Sequence, residues 1–289
     1  MLTIGDIEIH LINDCRVMVD GGGPFGLVPR VLWQRTMKPD ENNLVPMNQT
    51  CLFIQANGKK IIVDTGLGTK LNDKGRRIWQ IEGEGGLLTG LGKLGIQPAD
   101  IDLVIDTHLH SDHAGGNTRF KEGTIEEVEA TFPNAEYLVQ RREYEDAMQP
   151  NERTAATYLP FNYQPLVENG QMRLLDGDTE ILPGITGVIT PGHTPGHMSV
   201  CIESGGKSAF FICDLASYAV HFERLGWMTA YDVEPLVTLE TKRIWQKWAI
   251  EKDAIVIFPH DAYRPIGRVI QTENGKIQID PIDEPYVND

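Results

Sequence analysis

The six residues His108-Leu109-His110-Ser111-Asp112-His113 set three imidazoles and a carboxylate just after the strand-like run Leu103-Val104-Ile105-Asp106. An extended run alternates its side chains, so His108 and His110 project to one side, and the turn brings Asp112 and His113 round to a neighbouring direction. Four donors aimed two ways suit two adjacent metal ions better than one. Zinc takes about four donors, so the hexad needs partners from elsewhere in the chain. His193 or His197 in TPGHTPGH, Asp214 closing AFFICD and His260 closing AIVIFPH each follow an apolar run and precede a turn. A lone histidine at a strand end is ordinarily a surface group; beside this hexad these become ligand candidates. His10 and His221 have no such support, although His221 lies near enough to Asp214 in sequence to line a pocket.

Short β-rich runs recur along the chain, among them residues 7–12, 51–56, 60–66, 102–108, 135–140, 185–190, 198–204, 208–214 and 254–260. Residues 235–250 read as a helix, with Pro235 in its first turn and Leu236, Val237, Glu240, Ile244 and Trp248 at near-helical spacing. Strands interleaved with helices predict a layered α/β chain. A length of 289 residues allows two domains of about 150 each. No linker or internal repeat divides the chain, however, and donors from 108 to 260 must meet. The expectation is one domain over 1–289, made of two packed sheets with helices outside. Residues 20–50 read as a long loop carrying Phe25, Leu27, Val28, Val31 and Trp33, whose apolar surface fits a substrate pocket or a homodimer interface.

Charge narrows the partners. With 26 Lys+Arg against 41 Asp+Glu, the net charge of −15 repels nucleic-acid phosphates and anionic membranes. No apolar run approaches the roughly 20 residues that cross a bilayer, and the first residues lack an export signal. Cys15, Cys51, Cys201 and Cys213 are widely spaced and lie in mostly apolar stretches, which predicts buried thiols and a cytoplasmic protein without nucleic-acid or membrane partners.

HLHSDHAGG, TPGHTPGH, Asp214, His260 and the upstream VDTG at 63–66 together resemble the metallo-β-lactamase superfamily over nearly the whole chain. That resemblance implies a four-layer αββα sandwich of two pseudo-repeated αβ halves, with a dinuclear site at the sheet edge. It implies that His108, His110 and His193 hold one ion, that Asp112, His113 and His260 hold the other, and that Asp214 bridges them. His197 is then left to a supporting hydrogen bond, and Asp64 to orienting a ligand imidazole. The zinc β-lactamases carry a cysteine ligand near the bridging position; here Asp214 stands there, and Cys213 is expected to point to the opposite face.

Within the superfamily the motifs are similar to those of the N-acyl-homoserine lactonases that quench quorum sensing, and CDL with TLETKRIW is similar to the methyl parathion hydrolase branch. The implied enzyme is a hydrolase with two divalent ions, zinc by default, acting on a small-molecule ester or lactone. A metal-bridging hydroxide would attack the carbonyl carbon, and Asp112 would shuttle the proton. The lactonases place a tyrosine three residues after the bridging Asp; here Tyr218 follows Asp214 by four, so Tyr218 and Tyr231 both stand as substrate-contacting candidates. The alternatives are a phosphotriesterase, a glyoxalase II-like thioesterase using basic residues such as Arg264 and Arg268, and a non-catalytic metal-binding protein on the same fold.

Overall fold

Parallel strand pairs at the centre of each sheet decide where the clustered histidines end up. The computed structural model describes residues 1–288, and among these the chain forms two seven-stranded mixed sheets and a small two-stranded one. In the N-terminal sheet, Lys59–Val63, Leu103–Ile105, Glu136–Gln140 and Met172–Leu175 run parallel in that order, with Val63 opposite Ile105 and Ile105 opposite Leu138. In the C-terminal sheet, Lys207–Phe211 and Ile255–Ile257 are parallel, with Phe211 opposite Ile257. Parallel neighbours finish at the same edge. The segments that follow Val63, Ile105, Phe211 and Ile257 carry Asp64, the histidine hexad, Asp214 and His260 respectively. Backbone bonds join the two sheets there: Met198 N–H donates to Thr107 O at 2.9 Å, and Thr50 N–H to Pro259 O at 3.0 Å.

Alternation along the strands builds the layers. Leu52, Ile54, Ile61 and Val63 enter the core between the sheets, while Cys51, Phe53 and Ile62 face outward. The outward side is covered by Leu87 and Leu91 of helix Gly86–Lys93, Ala147 of Arg141–Met148 and Leu166 of Gln164–Glu168. In the second sheet Ile255 and Ile257 point inward, and Val256 points to Ala249, Trp245 and Trp248 of helix Pro235–Glu251. Helix, sheet, sheet, helix is thus the observed order of layers, as the sequence predicts. All four cysteines are free and buried.

Two local expectations are corrected, and the inward face of the last long helix is added. Residues 20–50 are not one loop: strands Ile7–Asp20 and Leu44–Ala56 pair through them, with Val19 opposite Val45, and helices Gly22–Phe25 and Arg30–Trp33 lie between. Phe25 and Trp33 are buried and stacked on each other at 4.7 Å, so they serve packing; Leu27, Val31 and Leu32 are exposed. The strand before the hexad ends at Ile105, so His108 and His110 sit in a loop instead of on alternating strand positions. Finally, helix Pro235–Glu251 turns Thr238, Thr241, Lys242 and Ala249 inward and leaves Leu236 and Ile244 exposed. Trp245 and Trp248 are partly buried on the inward side, Trp245 stacked on Phe210 at 4.7 Å.

These placements predict opposite outcomes for two truncations. Phe211→Ala in the inter-sheet core should lower the unfolding free energy by about 3–5 kcal/mol in chemical denaturation. Ile244→Ala should stay within about 0.5 kcal/mol of the parent; a large loss there would contradict the observed helix face.

Candidate metal centre

Five imidazoles meet at the shared edge, and their ring nitrogens are too close to one another for neutral lone pairs alone. His108 Nε2 lies 3.2 Å from His110 Nδ1, which is 3.1 Å from His193 Nε2. His113 Nε2 lies 3.2 Å from His260 Nε2. Separations near 3.3 Å follow from nitrogen–zinc bonds of roughly 2.0–2.1 Å at a tetrahedral angle, so this spacing fits nitrogens grouped around a cation. Asp214 stands between the two groups. Its Oδ2 is 3.2 Å from His193 Nε2 and 4.0 Å from His108 Nε2, and its Oδ1 is 3.1 Å from His260 Nε2. Asp112 Oδ2 is 3.9 Å from His113 Nε2 and 3.8 Å from His260 Nε2. His108, His110 and His193 could therefore hold one ion and Asp112, His113 and His260 another, with the Asp214 carboxylate between them, its Oδ2 also 3.5 Å from His113 Nε2.

Outer hydrogen bonds turn the remaining nitrogens away from the centre. His113 Nδ1 donates to Asp64 Oδ2 at 2.9 Å, His193 Nδ1 to Asp232 Oδ1 at 3.0 Å, and His260 Nδ1 to the Asn48 carbonyl at 2.7 Å. His108 Nδ1 donates to Thr107 Oγ1 at 3.1 Å, and that hydroxyl donates to Asp64 at 2.9 Å. In the neutral ring each bond favours the tautomer whose Nε2 lone pair faces the centre. Burial, then the neighbouring imidazoles, pushes His108 and His110 far below the ordinary histidine range, so their lone pairs are free at neutral pH. Burial alone would raise Asp214, but His260, His193 and His113 outweigh it and hold the carboxyl well below the usual range.

His197 does not join the donors. Its Nδ1 donates to the Thr190 carbonyl at 3.1 Å, and its Nε2 accepts the Asp214 N–H at 3.2 Å, which steadies the backbone of the central carboxylate. Burial drops its pKa to about 3, consistent with that accepting nitrogen. Asp64 orients His113 from a left-handed backbone conformation, φ 54°. Cys213 corrects an expectation: its Sγ does not point to the opposite face but lies beneath the centre, 3.3 Å from Asp64 Oδ2 and 3.5 Å from His113 Nδ1. The strand ends at Phe211 and Cys213 adopts φ 48°, so strand alternation no longer governs its direction.

Sequence reasoning missed Asp232 and the Asn48 carbonyl. Asp232 has no motif around it, and a backbone carbonyl leaves no trace in residue identity. The loop before helix Pro235–Glu251 presents Asp232, braced by the Thr229 hydroxyl at 2.7 Å. Above the donors opens a small cleft with apolar walls that include Val19, Pro24, Met47 and Trp79. Tyr218 and Tyr231 both border it. The Tyr218 hydroxyl is buried without a hydrogen-bond partner, whereas Tyr231 is 45% exposed. His221 lies behind Tyr218, their rings 5.3 Å apart, and His10 packs near Phe53 well away from the site.

The profile described as the metallo-beta-lactamase superfamily matches residues 44–258. An N-acyl homoserine lactonase from a Bacillus species is 30% identical over 244 residues, spanning 80% of this chain and 88% of that one. The crystal structure of a probable metal-dependent hydrolase from Staphylococcus aureus superposes with a TM-score of 0.88 at 30% identity, over 98% of this chain and 100% of that one. A dizinc quorum-quenching lactonase solved with a homoserine product shares the fold at TM-score 0.81 and 17% identity, over 98% and 97% of the two chains. Among the described residues no helix is long and apolar enough to cross a membrane. Converging donors, layered sheets and the profile match agree: the chain belongs to the metallo-beta-lactamase superfamily.

Proposed function

We propose that this metal-dependent hydrolase opens lactones of the N-acyl homoserine type at a site for two divalent ions, zinc by default. The observation that carries the reading is the cleft itself. Its floor is the histidine and aspartate cluster, its walls are apolar, and its lining contains no lysine or arginine. A neutral ester with an apolar arm suits such walls. The lactonase relative that covers most of the chain supports the same substrate class. Residues 1–289 are read as a single domain, because donors from both sheets are needed at one site, and four free cysteines suit a reducing cytoplasm.

When bound, the two ions supply a Lewis acid and lower the pKa of water toward neutrality. The chain does the rest. Apolar walls hold the acyl arm and exclude bulk water. The unpartnered Tyr218 hydroxyl is free to donate to a substrate oxygen, and this favours Tyr218 over the exposed Tyr231 as the contacting residue. Asp112, whose side chain is 15% exposed at the cleft floor, is placed to take the proton of the attacking water and return it to the ring oxygen as it leaves. Asp214 keeps the two groups of imidazoles at a fixed separation.

A glutathione thioesterase fits less well. Arg264 is held by Glu223 at 2.6 Å and Arg268 by Asp253 at 3.0 Å, and neither borders the cleft. A phosphotriester, also neutral, remains the second reading on the same wall chemistry.

Three measurements test this. A panel of acyl-homoserine lactones, aryl esters, a phosphotriester and a glutathione thioester should show the highest kcat/KM on the lactones; a phosphotriester preference would replace the reading. Metal analysis should give two zinc per chain, with activity lost to a chelator and restored by zinc, and Asp214→Ala should abolish turnover. Full lactonase activity in protein that stays metal-free would refute the mechanism. Tyr218→Phe should lower kcat/KM on the order of tenfold, the worth of one hydrogen bond to the substrate, while Tyr231→Phe leaves it nearly unchanged.

A further inference from the structure

Glu143 is wholly buried in the first turn of helix Arg141–Met148, outside the donor set. Its carboxylate accepts three hydrogen bonds. Oε1 takes the Leu109 N–H at 3.0 Å and the Tyr158 hydroxyl at 2.9 Å, and Oε2 takes the Thr194 hydroxyl at 2.6 Å. Leu109 sits between His108 and His110, and Thr194 follows His193. Tyr158 adds a second hold on the same place, its ring 5.0 Å from that of His110. One side chain thus ties together two chain segments that carry three imidazoles.

The turn around His193 is also pressed against this helix. A Cβ at Gly196 would stand 2.3 Å from Glu143 N, so the approach tolerates no side chain there. A buried carboxylate is costly to desolvate, and an apolar residue would fill the same space at lower cost if packing were all the helix needed. All three of its partners lead to the loops bearing His108, His110 and His193.

We propose that Glu143 is a positioning residue that sets the spacing of His108, His110 and His193, and through it the affinity of their pocket for its ion. The inference rests on reading those three imidazoles as one metal pocket. Removing the carboxylate lets the two loops relax independently. The pocket of Asp112, His113 and His260 is braced by Asp64 and Asn48 and does not share these bonds.

The test is stepwise zinc affinity, measured by titrating metal-free protein against a chromophoric chelator, with thermal unfolding of the metal-free forms alongside. Glu143→Leu should weaken one of the two affinities by about 10–100-fold and leave the other within about threefold. Glu143→Gln, which keeps an acceptor for Leu109, should recover part of the loss. Thr194→Val, which removes one bond only, should weaken the same affinity several-fold, and it decides the matter should Glu143→Leu fail to fold. Wild-type protein that binds two ions while the variants match it, or lose both affinities equally, would overturn the role of Glu143 and leave the metal reading intact. Wild-type protein that takes up no zinc would overturn both.

Discussion

The Asp214 carboxylate, set between two groups of imidazole nitrogens, is the interaction on which the rest of the structure depends. Its oxygens reach both groups, with Oδ2 at 3.2 Å from His193 Nε2 and 3.5 Å from His113 Nε2, and Oδ1 at 3.1 Å from His260 Nε2. Lone pairs at such distances repel unless a proton or a cation lies among them, and the donor set fits a cation. Holding it requires strand ends from both sheets to stop together. The parallel registers of Val63 with Ile105 and of Phe211 with Ile257 provide that common edge.

Around the donors lies a layer of groups whose work is orientation. Asp64, Asp232, Thr107 and the Asn48 carbonyl each accept a ring N–H, and His197 receives the backbone N–H of Asp214. Such partners fix which nitrogen is free and raise its basicity. They come from loops and strand ends across the chain, so the centre joins residues of both halves. The left-handed backbones at Asp64 and Cys213 show local strain at the same edge, held in place by the packing beneath.

The converging residues were legible in the sequence because histidines, of which the chain has 8, cluster after apolar runs. The hexad, TPGHTPGH, Asp214 and His260 could be read directly, as could strands such as Met198–Ser204 and the helix starting at Pro235. What could not be read is whatever depends on three-dimensional company. Asp232 and Glu143 look like any other acidic residues along the chain, and their importance lies in burial against His193, Leu109 and Thr194. The inward side of the last long helix carries two tryptophans, which spacing alone did not rank above Leu236 or Ile244. Cys213 went astray because a strand rule was carried two residues past the strand's end.

The proposed neutral-ester substrate rests on the cleft above the centre, with its apolar walls, a hydroxyl without a partner and no cationic side chain. The central claim is that two ions sit on either side of Asp214. Anomalous scattering at the zinc edge from a crystal of the zinc-loaded protein tests it most directly. The account predicts two peaks about 3.5–4 Å apart, one among His108, His110 and His193 and the other among Asp112, His113 and His260. A single peak, or peaks away from Asp214, would contradict it.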